Sequence, residues 1–161
     1  MKNESMSFGY EVYESIDELH EADATLLTAA RKITAEAYAP YSNFFVGASA
    51  RMQNGEIVNG TNQENAAYPV GICAERVLMG TAGVLFPGMP INAMAVSYNS
   101  LADDNSRPAS PCGMCRQYLK EFEDRTKAPV RLILAGQTGK VYIIEKASQL
   151  LPFSFGGADL K

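Results

Sequence analysis

Clusters of basic side chains are absent from this sequence of 161 residues. It contains 14 Lys and Arg against 18 Asp and Glu, which gives a formal net charge of -4, and no stretch is rich in Lys and Arg. Phosphate backbones are bound mainly by clustered cationic side chains. The composition therefore argues against a nucleic-acid partner and favours a small-molecule ligand.

Long apolar stretches are also missing. No run approaches the roughly 18 consecutive apolar residues that a membrane-spanning helix needs. The N-terminal stretch MKNESMSFGYEVYESIDELHEADA is polar and acidic, whereas a signal peptide has a basic and then an apolar segment. We therefore expect a cytoplasmic protein with no membrane partner.

Cysteine and histidine are scarce, with three cysteines and one histidine in the chain. An odd number of cysteines in a reducing compartment argues against a framework of disulfides. The rest of the composition, with 47% hydrophobic and 20% charged residues, is that of an ordinary globular domain. Metal binding or catalysis is therefore the first role to consider for the cysteines.

Apolar periodicity predicts helices and strands in alternation. Helical spacing begins at Ala24 and ends before Pro40, which lacks the N–H that a helix interior needs. Asn54-Gly55 predicts a hairpin between the strands FFVGASARM and EIVNG, because both turn residues tolerate positive φ. Further along, the pattern predicts a helix in CAERVLMGTAGVLF, a strand in INAMAVSYN, a helix in CGMCRQYLKEFEDR, and strands in VRLILAG and KVYIIEK.

Five strands interleaved with helices and opened by a hairpin predict an α/β fold. We expect a three-layer α-β-α sandwich around a five-stranded mixed sheet. Residues 1–21 are predicted to be a loosely attached N-terminal extension, and residues 22–161 a single domain. The loop ADDNSRPAS carries no motif that would anchor it.

All three cysteines fall at or just inside predicted helix starts. Cys73 opens one helix, and Cys112 and Cys115 form a Cys-x-x-Cys pair at the start of the next. The positive end of a helix dipole favours the thiolate, which is the form that binds metal. Three thiolates from two helices would give a zinc site with Zn–S distances of about 2.3 Å and one tetrahedral corner left for water.

The spacing of the cysteines is also compatible with two further roles. His20 could supply the fourth zinc ligand, although a lone histidine in a polar segment is more often solvated. A zinc site closed in that way would suit a non-catalytic binding module. The Cys-x-x-Cys pair alone would also fit the dithiol of a thioredoxin-like redox protein, which would leave Cys73 without a role.

Two side chains next to Cys73 have the chemistry that an open zinc site needs. Glu75 can point into the site without ligating the metal and can move protons to and from a bound water. Arg76, about one helical turn beyond Cys73, could donate hydrogen bonds to the thiolates and offset their charge. Taken alone, Glu75 is better interpreted as a helix-start carboxylate, and Arg76 fits a solvated side chain equally well.

The segment CAE at 73–75 followed by PCGMC at 111–115 matches the pattern of zinc deaminases, in its three-cysteine form. With the segments APYSNFFVGA, NQENAAY, CAER and SPCGMCRQ, the sequence resembles the small cytidine deaminases of free-nucleoside metabolism, from about Ala24 to the C-terminus. The resemblance implies a cytidine deaminase-like fold and hydrolytic deamination of cytidine and 2'-deoxycytidine in pyrimidine salvage. It also implies one Zn²⁺ per chain and a homotetramer.

The resemblance assigns a role to each matching residue of the metal site. It implies that Cys73, Cys112 and Cys115 bind zinc, and that Glu75 moves protons between the bound water and the base. Blasticidin S, guanine or a tRNA base would be alternative substrates within the deaminases. The acidic composition favours a free nucleoside over tRNA.

The same resemblance implies the substrate contacts. Asn62 and Glu64 match the pair that holds the sugar hydroxyls, although without the family both would be taken for turn residues. Phe44 matches the aromatic ring that packs on the pyrimidine, and Ala74 the residue whose backbone N–H meets the base carbonyl. In the family a C-terminal aromatic residue closes the cavity of a neighbouring subunit.

Two residues of this chain could supply that C-terminal ring. Phe155 is the best match, and Phe153 is near enough to be an alternative.

Overall fold

A computed structural model describes residues 1–160 and shows a mixed β-sheet with helices on both faces. Within that range the α-helices are α1 (Glu21–Ile33), α2 (Ala74–Leu85) and α3 (Gly113–Thr126). The strands are β1 (Glu11–Tyr13), β2 (Phe44–Met52), β3 (Ile57–Thr61), β4 (Ile91–Ser100), β5 (Arg131–Ala135) and β6 (Val141–Ile144). Their order in the sheet is β1-β6-β5-β4-β2-β3.

The predicted α/β class and its three layers are confirmed. Strands β4 and β5 are parallel, and the other neighbouring pairs are antiparallel, so the sheet is mixed. Helix α1 packs on one face, where Leu26, Leu27 and Ala30 meet Ile133 of β5. Helices α2 and α3 pack on the other face, with buried side chains that include Leu78, Met79, Leu119 and Phe122.

The sheet of residues 1–160 has six strands, so the prediction of five is wrong by one. The additional strand is β1, which pairs antiparallel with β6 at the edge of the sheet. It lies inside the segment predicted to be an N-terminal extension. Three residues, mostly exposed, are too few to show the alternation by which a strand is recognised in a sequence.

Helix α1 also differs from its prediction at both ends. It begins at Glu21, before the first apolar residue of the helical pattern, and it ends at Ile33. A short 3-10 turn, Thr34–Glu36, continues the chain toward Pro40. The tighter turn keeps the local chain coiled, so sequence periodicity alone does not separate it from the helix.

Close packing between β3 and α2 positions the start of that helix. Gly60 lies directly beneath the first turn of α2, and a Cβ atom there would overlap the carbonyl oxygen of Ala74 and the backbone N of Leu78. Glycine therefore lets strand and helix approach closely. Among the described residues no helix is long and apolar enough to cross a membrane.

Candidate active site

Helices α2 and α3 begin close together, and each begins at a cysteine. Cys73 is the N-cap of α2, Cys112 is the N-cap of α3, and Cys115 lies in the first turn of α3. The Sγ atom of Cys112 is 3.7 Å from that of Cys73 and 3.5 Å from that of Cys115. Sulfur atoms bound at about 2.3 Å to a tetrahedral zinc ion would be about 3.8 Å apart, so the three thiols have the spacing that zinc requires.

The cysteine cluster leaves room for a fourth ligand. Within residues 1–160, the metal-binding side chains that lie within 4.8 Å of one another are the three cysteines. His20 is instead the exposed N-cap of α1 and does not belong to this group. Three protein ligands with a fourth position open is the arrangement of catalytic zinc sites, whereas structural sites have four protein ligands.

Hydrogen bonding within the cluster shifts the pKa values of Cys73 and Cys115 in opposite directions. Hydrogen bonding from Cys115 is the main reason that the pKa of Cys73 is lowered to about 6, and Cys112 contributes further. The pKa of Cys115 is raised, because its proton is held in the bond to Cys73 and because the side chain is buried. The cluster thus favours a thiolate at neutral pH, and thiolate is the form that ligates metal.

Glu75 lies in the first turn of α2, beside the cysteines. Its side chain is buried, with 4% of the residue exposed, and burial raises the pKa of its carboxyl group. Hydrogen bonds from its own backbone N–H and, to a smaller extent, from Cys115 oppose that shift. A carboxyl group whose pKa is raised by burial holds a proton more readily than an exposed one, and taking up and giving up a proton is what a proton shuttle does.

A cavity of about 510 Å³ opens above the cysteines and brings most of the predicted residues together. Cys73, Glu75 and Cys112 line it, and so do the predicted substrate contacts Phe44, Asn62, Glu64 and Ala74. Glu64 also lines an adjoining hollow whose other walls include Tyr41 and Asn65 but none of the cysteines. Glu64 therefore marks the side of the cavity away from the thiols.

Asn62 and Glu64 hold the chain segments that shape this second side. The amide of Asn62 accepts a hydrogen bond from the N–H of Val46 at 2.7 Å and donates one to the carbonyl of Phe44 at 2.9 Å. The Glu64 carboxylate accepts from the N–H of Tyr41 at 2.9 Å. It also accepts from the backbone N–H of Ser42 at 3.3 Å, and the Ser42 hydroxyl is the main cause of the lowered pKa of Glu64.

Phe44 and Ala74 present an aromatic ring and a backbone N–H to the cavity. Phe44 is the first residue of β2, and its ring is stacked on Tyr98 with centroids 4.8 Å apart. Ala74 is the first residue of α2, where a backbone N–H has no acceptor inside the helix. The Ala74 N–H is thus available to a ligand in the cavity.

Arg76 is near the cysteines but is directed at another sulfur. Its Nη1 atom lies 4.0 Å from Sδ of Met114, and among residues 1–160 no hydrogen bond joins it to a thiol. Its positive charge nevertheless contributes to lowering the pKa of Cys73. Arg76 therefore stabilises the thiolate of Cys73 through its charge, and the predicted hydrogen bond is not formed.

The two C-terminal phenylalanines do not line the cavity of their own chain. Phe155 is 58% exposed and borders a separate hollow with Arg76 and Met114. Its carbonyl accepts a hydrogen bond from Gln117 at 2.9 Å. Phe153 is 95% exposed.

Two residues that shape the site were not predicted from the sequence. Tyr98 lines the cavity from β4, but its place in an apolar strand pattern gave no reason to separate it from the core. Arg116 donates to the carbonyls of Pro111 at 2.8 Å and Leu150 at 3.0 Å, and so fixes the turn before Cys112. Arg116 falls inside the segment SPCGMCRQ, which was the available signal.

Residues 20–129, more than half of the chain, match the family model described as the cytidine and deoxycytidylate deaminase zinc-binding region. The chain belongs to the cytidine and deoxycytidylate deaminase family. The cytidine deaminase of Halalkalibacterium halodurans is 36% identical over 124 residues, which are 77% of this chain and 86% of that protein. The cytidine deaminase of Sporosarcina psychrophila is 32% identical over 135 residues, 84% of this chain and 92% of that protein.

Solved structures of the deaminase family share this fold. The crystal structure of cytidine deaminase from Burkholderia pseudomallei superposes with a TM-score of 0.71 at 34% identity, covering 85% of this chain and 100% of that chain. The cytidine deaminase of Mycobacterium tuberculosis gives a TM-score of 0.62 at 28% identity, with 82% and 95% covered. The family resemblance of the sequence is thereby confirmed.

Proposed function

We propose that this deaminase hydrolyses cytidine and 2'-deoxycytidine to uridine and 2'-deoxyuridine, with release of ammonia, as a step of pyrimidine salvage. The observation that carries the proposal is one cavity lined by metal-binding thiols, a buried carboxyl group and an aromatic ring. Membership of a family with a zinc-binding region supports zinc as the cofactor.

Cys73, Cys112 and Cys115 are the residues that would hold the zinc ion, which when bound lowers the pKa of a water so that it can attack C4 of the base. Glu75 accepts a proton at its carboxylate and delivers it to N3, which makes C4 more electrophilic. It then carries a second proton to the amino group, which leaves as ammonia. The water oxygen remains on C4 as the carbonyl of the uridine product.

The other side of the cavity binds the nucleoside. The carboxylate of Glu64 accepts a hydrogen bond from a sugar hydroxyl, and the amide of Asn62 donates to it. The ring of Phe44 packs on the base, and the N–H of Ala74 donates to the base carbonyl. The lowered pKa of Glu64 supports its part, since the side chain stays a hydrogen-bond acceptor over the whole neutral range.

The test is an assay of the purified zinc-loaded protein with cytidine, 2'-deoxycytidine and cytosine, with ammonia and bound zinc measured together. We expect both nucleosides to release ammonia, and cytosine, which lacks the sugar, to react at least about tenfold more slowly per unit concentration. Zinc-loaded protein that releases no ammonia from either nucleoside would contradict the proposal. Blasticidin S and guanine in the same assay test the other deaminase substrates.

A redox function is the alternative from another class. The three cysteines are free thiols, and the spacing of Cys73 to the Cys-x-x-Cys pair suits a shared metal. A thioredoxin-like dithiol has no use for a third sulfur or for Glu75. Thiol–disulfide exchange by the zinc-free protein, without deamination by the zinc form, would favour that alternative.

We also infer that the enzyme is a homotetramer in which Phe155 or Phe153 reaches the cavity of a neighbouring subunit. The exposed side of α2 supports association: Val84 is 78% exposed, and the space beside Gly80 is open. Exposed apolar surface can mark a protein–protein interaction site, and this side of α2 is where we place the contact. Light scattering coupled to size-exclusion chromatography should give about four times the 17.4 kDa mass of one chain.

The need to keep the thiols reduced indicates the compartment in which the enzyme works. A metal site of three cysteines requires all of them to stay reduced, and the cytoplasm keeps thiols reduced. We therefore propose a cytoplasmic location. Fractionation of expressing cells tests it, and recovery of the zinc-loaded activity from an oxidising compartment would contradict it.

A further inference from the structure

Behind the ring of Phe44 lies a second aromatic ring, that of Tyr98. The ring centroids are 4.8 Å apart, and the ring planes are within 13° of parallel. Tyr98 is in the middle of the sheet, where β4 pairs with Val46 of β2, and it is 3% exposed. Phe44 is 36% exposed, so it is the outer member of the pair and the one that meets a ligand.

The backbone of Phe44 is fixed by hydrogen bonds that do not orient its side chain. Its N–H donates to the hydroxyl of Ser42 at 3.1 Å, and its carbonyl accepts from Asn62 at 2.9 Å. These contacts leave both side-chain torsions of Phe44 undetermined. In the part of the chain that the structure describes, Tyr98 supplies the one aromatic ring stacked on it, and a stacked neighbour restricts those torsions.

Tyr98 is itself held from the loop that follows β4. Its hydroxyl donates to the carboxylate of Asp103 at 3.3 Å, and Asp103 pairs with Arg107 at 3.5 Å. Asn105 anchors the same loop, because its amide accepts from the N–H of Ser100 at 2.6 Å and donates back to the Ser100 carbonyl at 3.0 Å. The loop then runs on to residues 109 and 110, which line the cavity.

We propose that Tyr98 is a positioning residue for the nucleoside. Its ring sets the plane of Phe44 against which the base packs, and its hydroxyl ties that plane to the loop that forms the adjacent wall. The assignment rests on the proposed function, since it takes Phe44 to be the ring that meets the base. Tyr98 lines the cavity but is only 3% exposed, so in this role it acts through Phe44 and not on a reacting atom, and its loss should weaken binding of the ground state and the transition state equally.

The experiment measures kcat and KM for cytidine with the zinc-loaded variants Tyr98→Leu, Tyr98→Phe and Phe44→Leu and with the double variant. For Tyr98→Leu we expect KM to rise about three- to tenfold, the range of an aromatic pair, with kcat changed less than about twofold. Tyr98→Phe keeps the ring and should raise KM by less than about threefold. In the Phe44→Leu background, Tyr98→Leu should raise KM no further, because it acts through Phe44.

Two outcomes would overturn the assignment. One is an unchanged KM in Tyr98→Leu. The other is a double variant whose KM rises by the product of the single effects, since Tyr98 would then act independently of Phe44. Bound zinc and the thermal midpoint are measured for each variant, and Tyr98→Met, which keeps the volume without the ring, replaces Tyr98→Leu if the latter does not fold.

The wild-type control separates this inference from the proposed function. Wild-type protein that releases no ammonia from cytidine would overturn both. Wild-type turnover together with unchanged KM in the Tyr98 variants would overturn the positioning role alone.

Discussion

Two glutamates line the same cavity, and their carboxyl groups respond to it in opposite ways. Glu75, in the first turn of α2, is buried, and burial raises the pKa of its carboxyl group. Glu64 lies in the loop after β3, where hydrogen bonds from Ser42 and from the backbone of Tyr41 lower its pKa. The residue type is the same, so the surroundings alone make the difference.

The contrast shows how one cavity obtains two functions from one kind of side chain. Removal from water disfavours the charged form of Glu75 and so keeps a proton within reach of the carboxyl group. Hydrogen bonds donated to Glu64 favour its charged form and fix its orientation. The first environment suits proton transfer, and the second suits a permanent hydrogen-bond acceptor for a sugar hydroxyl.

Among the variants that test this comparison, removal of a thiol beside Glu75 should reduce deamination the most. We expect Cys115→Ser to lose bound zinc and to reduce deamination to background, because a three-sulfur site that lacks its buried ligand holds the ion poorly. Zinc content and ammonia release measure this. Met114→Ser, a change at the exposed neighbouring residue, is the matched control and should keep zinc, and full activity in Cys115→Ser would refute the assignment.

Glu75→Gln should have the next largest effect and separates the two glutamates directly. The amide cannot shuttle protons, so kcat should fall by about a thousandfold or more, while zinc content and substrate binding are retained. Single-turnover kinetics and the KM or Kd for cytidine measure the two parts. A variant with near-normal turnover would show that Glu75 is not the proton carrier.

Glu64→Gln is the matched change on the sugar side. We expect KM for cytidine to rise about tenfold with a smaller change in kcat, because a hydrogen bond to a charged acceptor is replaced by one to a neutral amide. Steady-state kinetics with cytidine measure both values. Cytosine, which has no sugar, should react equally well with both proteins, and a loss on cytosine as large as that on cytidine would contradict a sugar contact.

The smallest expected effect is that of Glu64 on the pH dependence of the unfolding free energy. The pKa of Glu64 is lower in the folded chain than in the unfolded one, so the ionised form stabilises the fold. That contribution is present in full above the ordinary pKa of about 4.3 and is lost as the pH falls through the lower folded value. Chemical denaturation should show a constant difference in unfolding free energy between wild type and Glu64→Gln from pH 7 to about pH 5, and a shrinking one below about pH 4. A difference in unfolding free energy that grows as the pH falls would contradict a lowered pKa for Glu64.

Much of the fold could be predicted because its signals are local. Strand β2 covers the predicted FFVGASARM in full, and the turn at Asn54-Gly55 forms with Gly55 at a φ of 89°. Strand β1 could not be predicted, because three mostly exposed residues carry no period. They become a strand only because β6 offers an edge to which they can pair.

In the candidate site, too, some residues could be predicted from the sequence and others could not. The positions of the cysteines were enough to suggest a metal site, the match to the zinc deaminase pattern gave Glu75 its role, and the wider family resemblance added Phe44, Asn62 and Glu64. The stack of Phe44 on Tyr98 has no sequence signal, since it joins the start of β2 to β4 across a register that the sequence does not specify. For the same reason the sequence placed Arg76 by helical spacing, whereas its position against Met114 depends on how α2 and α3 approach.

The sequence by itself determined which groups this protein can use: thiols at the starts of two helices, a carboxyl group within the first turn of one of them, and the alternating elements that carry them. These follow from neighbours within a few positions of one another along the chain. Only the tertiary structure decided that the two helix starts meet with the sulfurs of Cys73 and Cys112 3.7 Å apart, and that one glutamate is buried while the other is hydrogen-bonded. Distances and burial of that kind depend on residues far apart in sequence, which come together when the sheet packs against its helices.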